Sequence, residues 1–262
     1  MPLPSLPRGH LCLHQSPEEK GFGGVVWPGA ALMCDWLAQQ QLEGANVLEL
    51  GSGTGACGLF AAGLGAQTVL LTDGGSDTLL NLIRENAERN KPLLGSSSVR
   101  VERLVWGDVA DSCAVMSTSE PCDYILAADV LYGTGPLDAT QRSEALAATF
   151  EAMLLCAPSD PPATGPPRII VTHDHRSRSL RGPLPWDMGD EVLAHFVGAC
   201  ARRGLSVREL LSKRPVLLHR SEVEEAAATG GGDKIKDNVG LQDEAVCTWS
   251  ADLVVLEVEA AA

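Results

Sequence analysis

The run Asn46-Val47-Leu48-Glu49-Leu50-Gly51-Ser52-Gly53-Thr54-Gly55 constrains the fold more than any other part of the chain. Val47 to Leu50 reads as a buried strand carrying one acid. It leads straight into alternating glycines, and Cys57 to Leu64 reads as a short buried helix. Strand, glycine turn and helix in that order build a nucleotide-type cofactor site at the carboxyl end of a parallel strand. Glycine suits the turn because it bends tightly and lets a ligand approach with no Cβ in the way.

The same alternation continues on both sides. Pro28 to Glu43 has a helical pattern, with Pro28 in its first turn, Leu32, Trp36 and Leu37 on one face, and Gly44 after its end. Thr68 to Thr72 is a second apolar strand, and Ser76 can cap a helix whose face is Leu79, Leu80, Ile83 and Ala87. Further strands are expected at Val99–Val105, Asp123–Ala128 and Arg168–Thr172, with helices at Thr140–Leu155 and Asp190–Arg203. Leu205–Leu211 and Trp249–Val258 read as two closing strands with no helix between them. Alternating strands and helices predict a parallel sheet covered on both faces, and the closing pair predicts an antiparallel neighbour near its end.

At 262 residues the chain suits one α/β domain. Within it we distinguish an N-terminal extension (1–27), a proline-rich loop (158–167) and a polar, glycine-rich insert (220–246). A net charge of −14 argues against a nucleic-acid backbone as the main partner and favours a basic protein segment. No apolar run reaches the roughly 20 residues that span a bilayer, and Met1 to His10 lacks a signal-peptide core. The eight cysteines (12, 34, 57, 113, 122, 156, 200, 247) are scattered without a Cys-x-x-Cys pair. Reduced, mostly buried thiols in the cytosol, and also the nucleus, are therefore expected.

Gly53-Thr54-Gly55-Ala56-Cys57-Gly58 also satisfies G-x-G-x-x-G, a weak match to dinucleotide binding on its own. Glu49 turns the reading away from it. A carboxylate two residues before Gly51 serves a pyrophosphate poorly and favours a cationic sulfonium and ammonium instead. Asp73, ending the second strand roughly 20 residues further on, is placed to accept both ribose hydroxyls. Leu104-Val105-Trp106-Gly107-Asp108 brings an indole to the end of the third strand. Trp36, Trp186 and Trp249 are read as structural.

These pieces together resemble a known family, the lysine methyltransferase-like group (methyltransferase family 16) of the seven-strand S-adenosylmethionine-dependent methyltransferases. The resemblance runs from about residue 21 to 210. It is carried by Gly24-Val25-Val26-Trp27-Pro28-Gly29-Ala30, VLELGSGTG at 47 to 55, Leu71-Thr72-Asp73, Asn86 and Asn90, Trp106-Gly107, and Ala127-Ala128-Asp129-Val130-Leu131-Tyr132. It implies a Rossmann-like sheet in the order 3-2-1-4-5-7-6, with strand 7 antiparallel and helices on both faces. It further implies S-adenosylmethionine as cofactor, with S-adenosylhomocysteine as product. Trp27 would lie against the methionine end, Gly51, Ser52 and Gly53 would supply backbone contacts, Asp73 would hold the ribose, and Trp106 would flank the adenine. Ala128 and Asp129 would border the methyl donor. Asp129 and Tyr132 are the catalytic candidates, the first orienting the entering nitrogen and the second walling its slot.

His173-Asp174-His175 closes the fifth strand and faces the same crevice, where substrate contact is a stronger reading than a metal pair. The function expected is methyl transfer to a lysine of a protein substrate, with no membrane partner and a monomeric state. Histidine, arginine or small-molecule acceptors stay open, as does a scaffold that binds the cofactor without turnover.

Overall fold

The computed structural model describes residues 3–17, 21–118, 120–133, 136–156, 165–175, 190–213, 217–219, 245–247 and 253–261. Seven strands form one sheet: β1 Asn46–Leu50, β2 Thr68–Asp73, β3 Ser98–Arg103, β4 Tyr124–Ala128, β5 Arg168–Asp174, β6 Leu205–Lys213 and β7 Leu253–Ala260. Their order is β3-β2-β1-β4-β5-β7-β6. The first five are parallel, and β7 lies antiparallel between β5 and β6. The expected order and the single reversed strand are both present.

Among the described residues, six helices cover the sheet: α1 Pro28–Leu37, α2 Ala56–Gly63, α3 Asp77–Asn90, α4 Val109–Thr118, α5 Pro136–Leu155 and α6 Asp190–Arg202. Alternate strand residues point to opposite faces, and the core divides accordingly. Val47, Val69, Leu71, Leu126 and Ile170 pack with α1, α2 and α3. Leu48, Leu50, Leu70, Ile125, Ile169 and Val171 pack with α4, α5 and α6. Burial on both faces is why these strands read as unbroken apolar runs. No helix among the described residues is long and apolar enough to cross a membrane.

Several boundaries differ from the sequence reading for identifiable reasons. α1 stops at Leu37, where the backbone tightens to Gln39 N–Trp36 O and Gln40 N–Leu37 O bonds (both 3.0 Å), and the Gln39 and Gln40 side chains cap the carbonyls of Asp35 and Trp36 (3.0 and 3.2 Å). α4 was not expected, its Val, Ser, Cys and Thr being indifferent helix formers. It is started by Asp108, whose carboxylate accepts the Asp111 N–H (3.0 Å), and held by burial of Val115 and Met116. Ser76 caps α3 as predicted.

The cysteine expectation needs correcting: Cys113 and Cys156 form a disulfide, while Cys12, Cys34, Cys57, Cys122 and Cys200 are free. α4 packs beside the end of α5 and brings the two Cα atoms within 5.3 Å, a proximity that no sequence spacing reveals. Residues 157–164 of the proline-rich loop region and 220–244 of the insert lie outside the described residues, as do Trp186 and Trp249. Ala245 and Val246, assigned to the insert, belong to a strand, Ala245–Cys247, paired antiparallel with Leu217–His219.

The described part of the N-terminal extension is packed onto the sheet's helices. Leu6 is buried in the core. Asn86 and Asn90, one turn apart on α3, bond the backbone of Cys12 and His14 much as a neighbouring strand would. Asn86 Oδ1 accepts from His14 N (2.7 Å) and its Nδ2 donates to the carbonyls of His14 and Thr54 (3.1 and 2.9 Å). Asn90 repeats the exchange with Cys12 (2.8 and 3.0 Å). Ser16 N donates to Gly24 O (2.8 Å), tying the extension to a 3-10 turn, Gly21–Gly24, that overhangs the glycine loop. Asn86→Ala strands buried partners, so a loss of about 2 kcal/mol is expected. It should appear as a lower urea midpoint, with faster amide exchange at Cys12 and His14.

Candidate functional site

The carboxyl edge of the sheet opens into a cavity of about 620 Å³, within the usual range for small-molecule sites. The residues assigned by sequence to the cofactor and to catalysis all line it: Trp27, Glu49, Gly51, Ser52, Gly53, Asp73, Trp106, Ala128, Asp129 and Tyr132. His173 and Asp174 line it too, while the His175 ring packs edge-on to His173 at 5.1 Å.

The floor is the turn after β1. Gly51 has a φ of 65°, and a Cβ there would stand 2.8 Å from the Trp106 ring, so only glycine allows the indole to close over the loop. The turn is fixed from β2. Thr72 O accepts from Ser52 N (2.9 Å), Thr72 Oγ1 donates to Glu49 O (2.8 Å), and Asp73 Oδ2 accepts from Gly53 N (3.0 Å). The other Asp73 oxygen accepts from Gly75 N (2.8 Å). Each carboxylate oxygen has a second lone pair, so Asp73 can still receive hydroxyl donors from the cavity.

Glu49 is buried, and Oε2 accepts from Gly58 N (2.9 Å). Burial raises its pKa to about 7. Bonds from the Gly58 N–H and the Cys57 thiol oppose the rise, Asp73's charge adds to it, and a bond with Ser52 opposes it slightly. A cation bound beside it would favour the ionised form.

Asp129, at the tip of β4, is buried and holds a φ of 56°, the only positive value outside glycine among the described residues. Such a conformation costs about 1 kcal/mol or more and clusters at functional sites. Its N–H bonds Thr172 O on β5 (2.9 Å). Its side chain lies against the first turn of α1, where a Cβ on Gly29 would stand 2.7 Å from Asp129 Cβ. That close approach is the physical reason for glycine in Trp27-Pro28-Gly29-Ala30.

The outer wall is aromatic. Phe22 lies 6.0 Å from Trp27 and 5.8 Å from Tyr132, centroid to centroid, and Trp27 Nε1 donates to Phe22 O (2.8 Å). Arg142, on α5, sits 4.6 Å over the Tyr132 ring. It donates to the Tyr132 hydroxyl (3.2 Å) and to Asp138 (2.9 Å). Sequence reasoning missed Phe22, Asp138 and Arg142. Phe22 had a signal, an aromatic between glycines just before the Val-Val-Trp-Pro motif; Arg142 had none.

The site fits S-adenosylmethionine in two respects: Asp73 offers acceptors for a ribose diol, and the buried Glu49 carboxyl suits a cation. The aromatic wall suits a cationic acceptor. Fold and cavity together define a seven-strand α/β protein with a nucleoside-type cofactor site at its sheet edge. A family model described as lysine methyltransferase matches residues 6–154, more than half the chain. The chain belongs to that family.

Protein N-lysine methyltransferase METTL21A of Xenopus tropicalis is 34% identical over 122 residues, covering 46% of this chain and 53% of that protein. Protein-lysine methyltransferase METTL21E of Mus musculus is 36% identical over 130 residues, covering 47% and 52%. The chain spans about half the length of the curated relatives it matches. Among solved structures, precorrin 8w decarboxylase of Methanobacterium thermoautotrophicum superposes with a TM-score of 0.50 over 94% of this chain and 95% of that one. The two are 14% identical, a likeness of fold alone.

The raised Glu49 pKa has a thermodynamic consequence. The folded state holds the Glu49 proton more tightly than the unfolded chain, whose value is near 4.5. The associated stability is full below pH 4.5 and is lost as pH rises through about 7. Glu49→Gln removes about 3 kcal/mol of that decline. Urea unfolding of both proteins at pH 5 and pH 8 should show the mutant with the flatter dependence.

Proposed function

We propose that this chain is an S-adenosylmethionine-dependent protein N-methyltransferase that modifies lysine. The observation that carries the reading is that one cavity joins the glycine loop and Asp73 to Asp129 and Tyr132, within the matched family segment. When bound, the cofactor supplies a methyl group on a cationic sulfur, which leaves as a neutral thioether as a nitrogen lone pair forms the new N–C bond.

The residues of the chain bind, orient and exclude. Asp73 accepts the ribose hydroxyls, and Glu49 offsets positive charge at the methionine end. Ala128 leaves room where the methyl group must lie. A lysine ammonium, with a solution pKa of about 10.4, first releases a proton to water. Asp129 then accepts an N–H of the neutral amine and aims its lone pair, while Tyr132, Phe22 and Trp27 wall the slot. The net charge of −14 supports a basic segment of a protein as the substrate, and a monomer acting alone. The five free thiols among the described residues, against one disulfide, support a cytosolic or nuclear setting.

Incubation with a labelled methyl donor and cell extract, followed by mass spectrometry, should place label on lysine; label confined to another residue type or to small molecules overturns the reading. Asp73→Ala should weaken S-adenosylhomocysteine binding by about 100-fold in calorimetry. Asp129→Asn keeps a residue that tolerates the left-handed backbone. It should lower kcat by about 100-fold with no loss of thermal stability.

A further inference from the structure

Among the described residues lining the cavity, the carboxylic acids Glu49, Asp73, Asp129, Asp138 and Asp174 face one permanent cation, Arg142. A site meant only to bind a cationic donor and a cationic acceptor would be better served by a neutral side chain there. Arg142 is 39% exposed and could reach into solvent from the second turn of α5. It is instead held over the cavity-facing Tyr132 by the ring, the hydroxyl and Asp138.

We propose that Arg142, opposed by Asp138, sets the protonation state of the amine entering the acceptor slot; this rests on the methyl-transfer reading above. The nitrogen can form its bond to carbon, with the C–S electron pair passing to sulfur, only after its extra proton has left to water. A fixed positive charge beside the slot disfavours the ammonium and releases the lone pair. A lysine made nucleophilic by a neighbouring cation works the same way. Asp138 tempers the effect, so the acceptor is still attracted. The other groups facing the slot are Asp129 and Tyr132 after β4, and His173 and Asp174 at the tip of β5; Phe22 and Trp27, on the N-terminal side, carry no charge. Arg142 is thus a positioning and tuning residue for Tyr132 and the acceptor.

The test is the pH profile of kcat at saturating donor, on a synthetic peptide carrying the lysine labelled in the extract experiment. Arg142→Met should move the acid limb upward by about half to one pH unit, and Asp138→Asn should move it downward by a similar amount. Arg142→Lys, which keeps the charge, should return the limb toward wild type. S-adenosylhomocysteine binding by calorimetry checks that each variant is folded, and opposite shifts in the two support the proposal. A limb that stays put, or that moves the same way in both variants, overturns the proposal and leaves the methyl-transfer reading standing. A wild-type protein that labels no lysine overturns that reading, and this proposal with it.

Discussion

Two backbone N–H groups from different turns, those of Gly53 and Gly75, converge on the carboxylate of Asp73, and the shape of the cavity floor depends on that convergence. Bonds to an ionised acceptor are stronger than neutral ones, so a single side chain ties the turn after β1 to the turn after β2. Beside the clasp, the missing Cβ of Gly51 lets Trp106 close in from the end of β3. Three neighbouring strand ends are thereby set at fixed heights. Those backbone donors make Asp73 a rigid acceptor with capacity left for the cavity, the kind of preorganised group on which recognition depends.

The acceptor side is built on the opposite principle. Apolar layers on both faces of the sheet supply the stability, and the carboxyl edge carries groups that reduce it: a buried acid at Glu49 and a left-handed backbone at Asp129. Asp129 survives in that conformation because neighbours over-determine it. Its N–H is bonded to β5, its side chain is pressed against α1, and Thr172 Oγ1 ties α1 back to β5 through Gly29 O (2.8 Å). The costly geometry sits where β4, β5 and α1 meet, which is also where a substrate nitrogen would arrive.

Much of this was legible in the sequence, for reasons particular to each element. Strands β1, β2, β4 and β5 are buried on both faces, so their residues admit little except apolar and β-branched types. The reversed β7 was legible because the sequence reads as two closing strands with no helical pattern between them. The cofactor-side residues were legible because local backbone demands, a tight turn and a strand-end acid, confine them to short motifs. α4 was hidden because tertiary burial, not propensity, makes it helical. Phe22 carried a local signal beside the Val-Val-Trp-Pro motif, whereas Arg142 was hidden because it reaches Tyr132 only in three dimensions, from a helix. The Cys113–Cys156 bond, spanning 43 residues, was hidden for the same reason.

The place of β7 in the sheet bears on how the protein is made. β6 leaves the ribosome before β7, yet β7 lies between it and β5 and, among the described residues, is the strand that bonds it to the sheet. During biosynthesis the five parallel strands and their helices can assemble while β6 waits with both edges unpaired. The edge of β5 stays open until Leu253–Ala260 emerges and slides between them. A nascent chain paused before that point leaves one edge of β5 and both edges of β6 open to pairing with another chain.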